Sequence, residues 1–186
     1  MSYQLNYLDV LKALFLPPDP LGTLLLAGIF LGIPFLTVWG LKAAGEWRRR
    51  WWLLPVTIAF LLLLLLVELL TSWSQAGSGW RLTDGGLELK AWPVSATLDL
   101  KGTRAALVES SGPWRPVVRT NGYGTPGLCT GWCKLANGEK AVVFRHLRPN
   151  RMVVLESEGR YYVLAHPGVE ELYRVLLARG VKQDAL

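Results

Sequence analysis

Two uncharged apolar runs, residues 21–41 and 51–67, flank the basic stretch KAAGEWRRR at 42–50, and this arrangement limits what the chain can fold into more than any other feature. The first run holds 21 residues. At about 1.5 Å of rise per helical residue it reaches across the roughly 30 Å hydrocarbon core of a bilayer. The second is nearly continuous Leu and meets its first acid only at Glu68, in the last turn, where a carboxylate reaches headgroups. A nine-residue connection makes the two antiparallel, and its four basic residues against one acid mark the cytoplasmic side. The expectation is a two-helix transmembrane hairpin over 21–70 in the cytoplasmic membrane, multi-pass, with both flanks on the extracytoplasmic side. Trp39, Trp47, Trp51 and Trp52 near the loop, and Trp73 and Trp80 beyond the far end, sit where rings prefer the membrane interface. A cleaved signal peptide fits worse, because the apolar stretch is about twice the usual length and no small-x-small site follows it.

Residues 1–20 read as a short amphipathic helix lying in the membrane surface, or packed on the hairpin or a partner. Tyr7, Leu8, Leu11, Leu14 and Phe15 share a face, Asn6 is placed as N-cap, and Pro17-Pro18 ends the segment. Inside the first span, Gly28 and Gly32 form a GxxxG pair that admits another helix backbone, from the second span or from another protein. Pro34 and Pro55 kink their helices or mark their ends. Residues 71–79, with Gln75-Ala76-Gly77-Ser78-Gly79, read as a small-residue linker, after which the composition becomes that of an ordinary soluble domain.

That domain, 80–186, carries fifteen basic and ten acidic residues counted from Ser78, or +5 of the total +6. Alternating segments at 87–92, 96–100, 104–108, 131–135, 140–146, 152–156 and 161–165 predict about seven antiparallel strands. Asn137-Gly138 and Glu158-Gly159 are hairpin turns, and Asp84-Gly85-Gly86 opens the first strand. After Pro167 the period changes: Val169, Leu172, Tyr173, Leu176 and Leu177 line one face of a C-terminal helix that Gly180 closes. The predicted class is α+β and mainly β, a bent sheet plugged by the terminal helix.

The run Arg119-Thr120-Asn121-Gly122-x-Gly124-x-Pro126-Gly127, followed by Gly131-Trp132-x-Lys134-Leu135 and Asn137-Gly138-x-Lys140-Ala141, resembles bacterial membrane proteins with a pleckstrin-homology-like (PH-like) domain. The resemblance covers about residues 80–180. It implies membrane spans ahead of a PH-like domain that serves oligomerisation and protein interaction, with no enzymatic activity and no general lipid ligand to carry over. Cys129 and Cys133 stand where that family usually has a charged or polar residue and an aromatic one.

Chemistry-bearing residues are few. Cys129 and Cys133 read as a disulfide, as two free thiols or as a redox or metal pair. An extended strand would hold their Cα atoms roughly 13 Å apart, beyond the roughly 7 Å that a disulfide allows, so a bridge requires Gly131 to bend the chain. With His146 and His166 they supply a zinc-type ligand set at the wrong spacing, and the expectation is no metal and no cofactor. Arg145, Arg148 and Arg151 concentrate positive charge at one predicted turn, which meets anionic headgroups, an acidic partner or water. No triad, phosphate loop or carboxylate pair stands out, and the diffuse charge disfavours nucleic acid. The reading is a non-enzymatic membrane protein that anchors an assembly domain. Its partners would be the bilayer and either itself or subunits of a membrane complex, with no small-molecule substrate identified. Its candidate contacts are Gly28, Gly32 and the exposed loop from Arg119 through Tyr123 to Trp132, with Trp132 reading more readily as a core residue of the sheet. The alternatives are a thiol-dependent redox protein and a headgroup-binding domain.

Overall fold

The computed structural model describes residues 1–15, 24 and 28–184. They fall into two units: one combines 1–18 with 74–186, and the other is the intervening segment, 19–73. The start of the predicted first span therefore lies outside the described residues, as does Pro17-Pro18.

In the intervening unit, one π-helical turn, Gly28–Gly32, leads into α2, Ile33–Ala43. A single turn, α3 (Trp47–Arg50), holds the basic loop, where Glu46 pairs with Arg50 at 2.8 Å. Helix α4, Leu53–Trp73, follows. With 21 residues and a mean hydropathy of 2.8, α4 is long and apolar enough to cross a membrane. Only 6% of its most apolar stretch is buried, so it is not the core helix of this chain. The apolar stretch Gly28–Ala43 is shorter. Pro34 and Pro55 both stand in the first turn of their helices, where a missing N–H costs nothing, and they mark starts.

The other unit begins with β1 (Ser2–Gln4) and α1 (Tyr7–Phe15). Asn6 caps α1 reciprocally: its Oδ1 accepts from Asp9 N at 2.8 Å, and its own N–H donates to Asp9 Oδ2 at 3.2 Å. The expected surface helix is instead docked on the strand domain. Val10, Ala13 and Leu14 are buried and Leu8 is 64% exposed, because the buried stripe is rotated from the predicted face. The chain then returns as β2 (Gly79–Thr83), β3 (Gly86–Ala91) and β4 (Val94–Leu98), giving a four-stranded sheet in the order β1-β2-β3-β4. The 71–79 segment is no free tether. Gly77 N–H donates to Leu5 O at 2.8 Å, Leu5 N–H donates to Ser78 O at 2.9 Å, and Gln75 and Ser78 are fully buried.

The second sheet contains β5 (Arg104–Glu109), β6 (Pro116–Thr125), β7 (Leu128–Leu135), β8 (Lys140–His146), β9 (Arg151–Ser157), β10 (Arg160–Ala165) and β11 (Lys182–Gln183). Each of the seven predicted segments falls on a strand; β1, β2, β6 and β11 were not predicted. The order β11-β5-β9-β10-β8-β7-β6 corrects the expectation of antiparallel strands throughout, since β10 lies parallel to β8 and β11 parallel to β5. The hairpin at Glu158-Gly159, with φ of 52° and 71°, folds β10 back between β9 and β8. Strands so enclosed are buried on both faces, which explains the unbroken apolar runs AVVF and MVVL.

One face carries the main core: Trp80, Leu87 and Leu89 of the first sheet meet Phe144, Leu155 and Leu164 of the second, with Val10 of α1 and with Leu172 and Leu176 of α5 (Val169–Ala178). Helix α5 lies over β5 and β9. It ends as predicted at Gly180, φ 90°, with Val181 N–H on Leu176 O and Gly180 N–H on Leu177 O. The other face holds a smaller cluster around Cys129, Cys133, Val143, Val154 and Val163, closed by Trp114, whose ring meets Tyr161 edge-on at 4.9 Å.

The β1–β2 ladder requires Gly79, whose φ is 142° and where an added Cβ would lie 2.0 Å from Tyr3 O. Gly79→Val should lower the stability of the full protein in detergent by about 1–3 kcal/mol, the cost of one such strained residue, read as a lower denaturant midpoint. An unchanged midpoint would mean that the ladder contributes nothing.

Candidate functional site

Residues 119–132, expected as an exposed loop, form the β6/β7 hairpin, the outer edge of the seven-stranded sheet. Two register shifts in β6, between Pro116 and Val118 and between Arg119 and Asn121, curl that edge. The glycines of this stretch serve close approach: Gly127 lies under Ala13 of α1, and Gly124 under the guanidinium of Arg119. Tyr123 and Trp132 are half-buried and packed against the main core, which matches the reading of Trp132 as a core residue of the sheet.

The decisive backbone feature is Gly131. Its φ is 104°, and an added Cβ would meet Asn121 O at 2.4 Å and Trp92 O at 2.8 Å, so no other residue fits without rearrangement. Here the strand bends as a Cys129–Cys133 contact demands, and the two free thiols lie with their Sγ atoms 3.8 Å apart. The hydrogen bond from the Cys133 thiol, with help from Arg145 and Arg119, brings Cys129 down to about 7 despite its burial. Cys133, as the donor, is pushed up. The pair is asymmetric: Cys129 is the more acidic thiol, and Cys133 stays protonated.

Both thiols line a cavity of about 220 Å³ together with Arg119, Thr125, Gly124 and Arg145. Among the described residues no Asp or Glu lines it. Arg145 Nε and Thr125 Oγ1 are buried without a hydrogen-bond partner among the described residues. With two arginines and no carboxylate among the described lining residues, the wall is suited to an anion. The three arginines of the predicted basic tip do not converge. Arg145 and Arg148 line a second cavity of about 170 Å³ with Met152 and Val163, whereas Arg151 lines a third with Glu109. Leu147, at φ 61°, turns the chain between Arg145 and Arg148.

The histidines lie on the opposite face of the sheet from the cysteines, because successive side chains alternate and His146 follows Val142 and Phe144 into the main core. They and the cysteines therefore make no joint ligand set. His166 Nε2 accepts from Trp80 Nε1 at 2.8 Å, and its Nδ1 lies 2.9 Å from Pro167 O, so the ring is neutral with its proton on Nδ1. Tyr3 stacks on His166 at 4.0 Å, and its hydroxyl is 2.6 Å from His146 Nδ1. Burial holds the Tyr3 phenol above its ordinary value, which keeps it a donor to His146. The sequence offered no signal for this cluster, which joins residues 3, 80, 146 and 166. In the helical unit, an added Cβ at Gly28 or Gly32 would meet nothing within 4 Å among the described residues.

No family model matches the chain, and no curated protein or solved structure matches it.

Burial depresses both histidines below the ordinary 6.5, so the folded protein binds these protons less readily than the unfolded chain does. Their contribution to stability is complete above about pH 6.5 and is lost as pH falls from there toward the folded values. In a Cys129→Ser variant, which removes the thiol that titrates near 7, the denaturant midpoint should be flat between pH 8 and 7 and should fall by pH 5.5. A midpoint independent of pH over that interval would exclude buried neutral histidines.

Proposed function

We propose that the chain is an integral membrane protein whose two apolar helices anchor one strand domain at the outer face of the cytoplasmic membrane, where the domain serves assembly. The observation that carries this reading is the pairing of β1 with β2, Tyr3 opposite Trp80, across an apolar segment of more than fifty residues. Partners in one ladder lie on one side of a bilayer, so the ladder supports pairing a crossing through α4 with a return crossing through the apolar stretch before it. The basic residues Lys42, Arg48, Arg49 and Arg50 between the two helices then assign that turn to the cytoplasm.

The free edge of the larger sheet supports the assembly role. Among the described residues no strand pairs with the outer side of β6, which is ten residues long and leaves Val117 and Val118 56% and 54% exposed. A long edge with exposed apolar side chains accepts a strand from a partner. The partner would be a second copy or a subunit of a membrane complex.

Epitope tags at both ends should be digested by protease added to intact spheroplasts, and a cysteine introduced at Ala44 should react only from the cytoplasmic side. Tags on opposite sides would break the two-span reading. For assembly, the protein purified from its native membrane in mild detergent should carry a stoichiometric partner or run as an oligomer. The double variant V117K/V118K should lose that partner while keeping its thermal midpoint; retention of the partner would move the interface elsewhere.

A further inference from the structure

The cavity beside Cys129 and Cys133 combines three things that the anchoring role does not need. Two thiols stand 3.8 Å apart with one of them the more acidic, two guanidinium groups border the same space with no carboxylate among the described lining residues, and Arg145 Nε and Thr125 Oγ1 are buried with unused hydrogen-bonding capacity. A structural thiol pair would be served by apolar walls. Cations at the mouth of a cavity raise the local concentration of anions, and cations near a thiol favour its thiolate.

We propose that the Cys129–Cys133 dithiol is a reversible modification site for small disulfides that carry carboxylates, which Arg119 and Arg145 hold against the thiols. Cys129 thiolate attacks one sulfur of the disulfide, the Cys129–S bond forms as the S–S bond of the ligand breaks, and the first thiolate leaves. Cys133 then gives up its proton and attacks Cys129 Sγ, closing the protein disulfide and expelling the second thiolate. The protein dithiol loses two electrons, the small disulfide gains them, and the two cysteine protons end on the two released thiols. Gly131 makes the second step reachable, because its bend places Cys133 beside Cys129 and not at the far end of an extended strand. This site does not depend on the side of the membrane; Val117 and Val118 of the proposed assembly edge line the same cavity, so the test uses protein freed of any partner.

The test uses the reduced full-length protein in a non-ionic detergent at pH 7 and low salt, with glutathione disulfide as the anionic probe and cystamine as its cationic counterpart. Samples are quenched with acid and read by mass spectrometry. The expected result is that glutathione disulfide oxidises the pair about tenfold faster than cystamine, and that added salt narrows the difference. Cys133→Ser should stop at one glutathione per chain on Cys129, and Cys129→Ser should react far more slowly. Arg119 is exposed, so Arg119→Gln should fold and lose part of the preference, and R119Q/R145Q should lose it entirely. Equal rates with the two probes in the unaltered protein would overturn the role of the arginines. Absence of exchange with either probe, while denaturant releases two reactive thiols, would overturn the site itself.

Discussion

The ladder between residues 2–4 and 79–81 is the contact on which the remainder of the structure depends. It makes the strand domain discontinuous, so the domain is complete only after the apolar helices have been made and the chain has returned. Through it Tyr3 reaches His146 and His166, Leu5 exchanges hydrogen bonds with Gly77 and Ser78, and α1 is carried onto Gly127 of the β6/β7 turn. Closing so long a loop costs conformational entropy, but the cost grows only as the logarithm of its length. A few backbone hydrogen bonds, with the buried Trp80 and Val10, are of a size to offset it.

A second constraint acts through the larger sheet. Folding β10 between β9 and β8 buries the central strands on both faces, and the sheet thereby separates two chemistries. The main-core face takes the neutral histidines, each satisfied by an aromatic donor, and the other takes the thiols and arginines. The same strand, β8, serves both: His146 points to one side and Arg145 to the other, one residue apart. A shift of one residue in the pairing of β7 with β8 would exchange these environments, placing a guanidinium in the main core, and this cost protects the register.

Much of the strand layout was legible because its signals are local. Asn137-Gly138 and Glu158-Gly159 state their turns through tolerance of positive φ, and the segment from Val169 to Gly180 states a helix through its period and its closing glycine. The requirement that Gly131 bend the chain followed from the reach of an extended strand. The candidate site was half legible. The cysteines were visible as a pair, but nothing near them in sequence announced Arg145, which reaches Cys129 only because β7 and β8 pair them directly. The aromatic–histidine cluster was invisible for the same reason, and β1 and β2 were hidden by being short and by lying next to membrane-like sequence.

By itself, then, the sequence determined the long apolar helix, the basic turn before it, most strands, the terminal helix and the two cysteines within reach of one glycine. Each of these is set by hydrophobic period, by the conformational freedom of a few residues or by the rise of a helix against the thickness of a bilayer. Only the tertiary structure decided that residues 1–15 belong to the strand domain, that β10 runs parallel to β8, that Tyr123 packs inward, and which arginines border the thiols. Those outcomes depend on pairings between distant segments, whose free energy comes from burial and hydrogen bonds that exist only once the chain has closed.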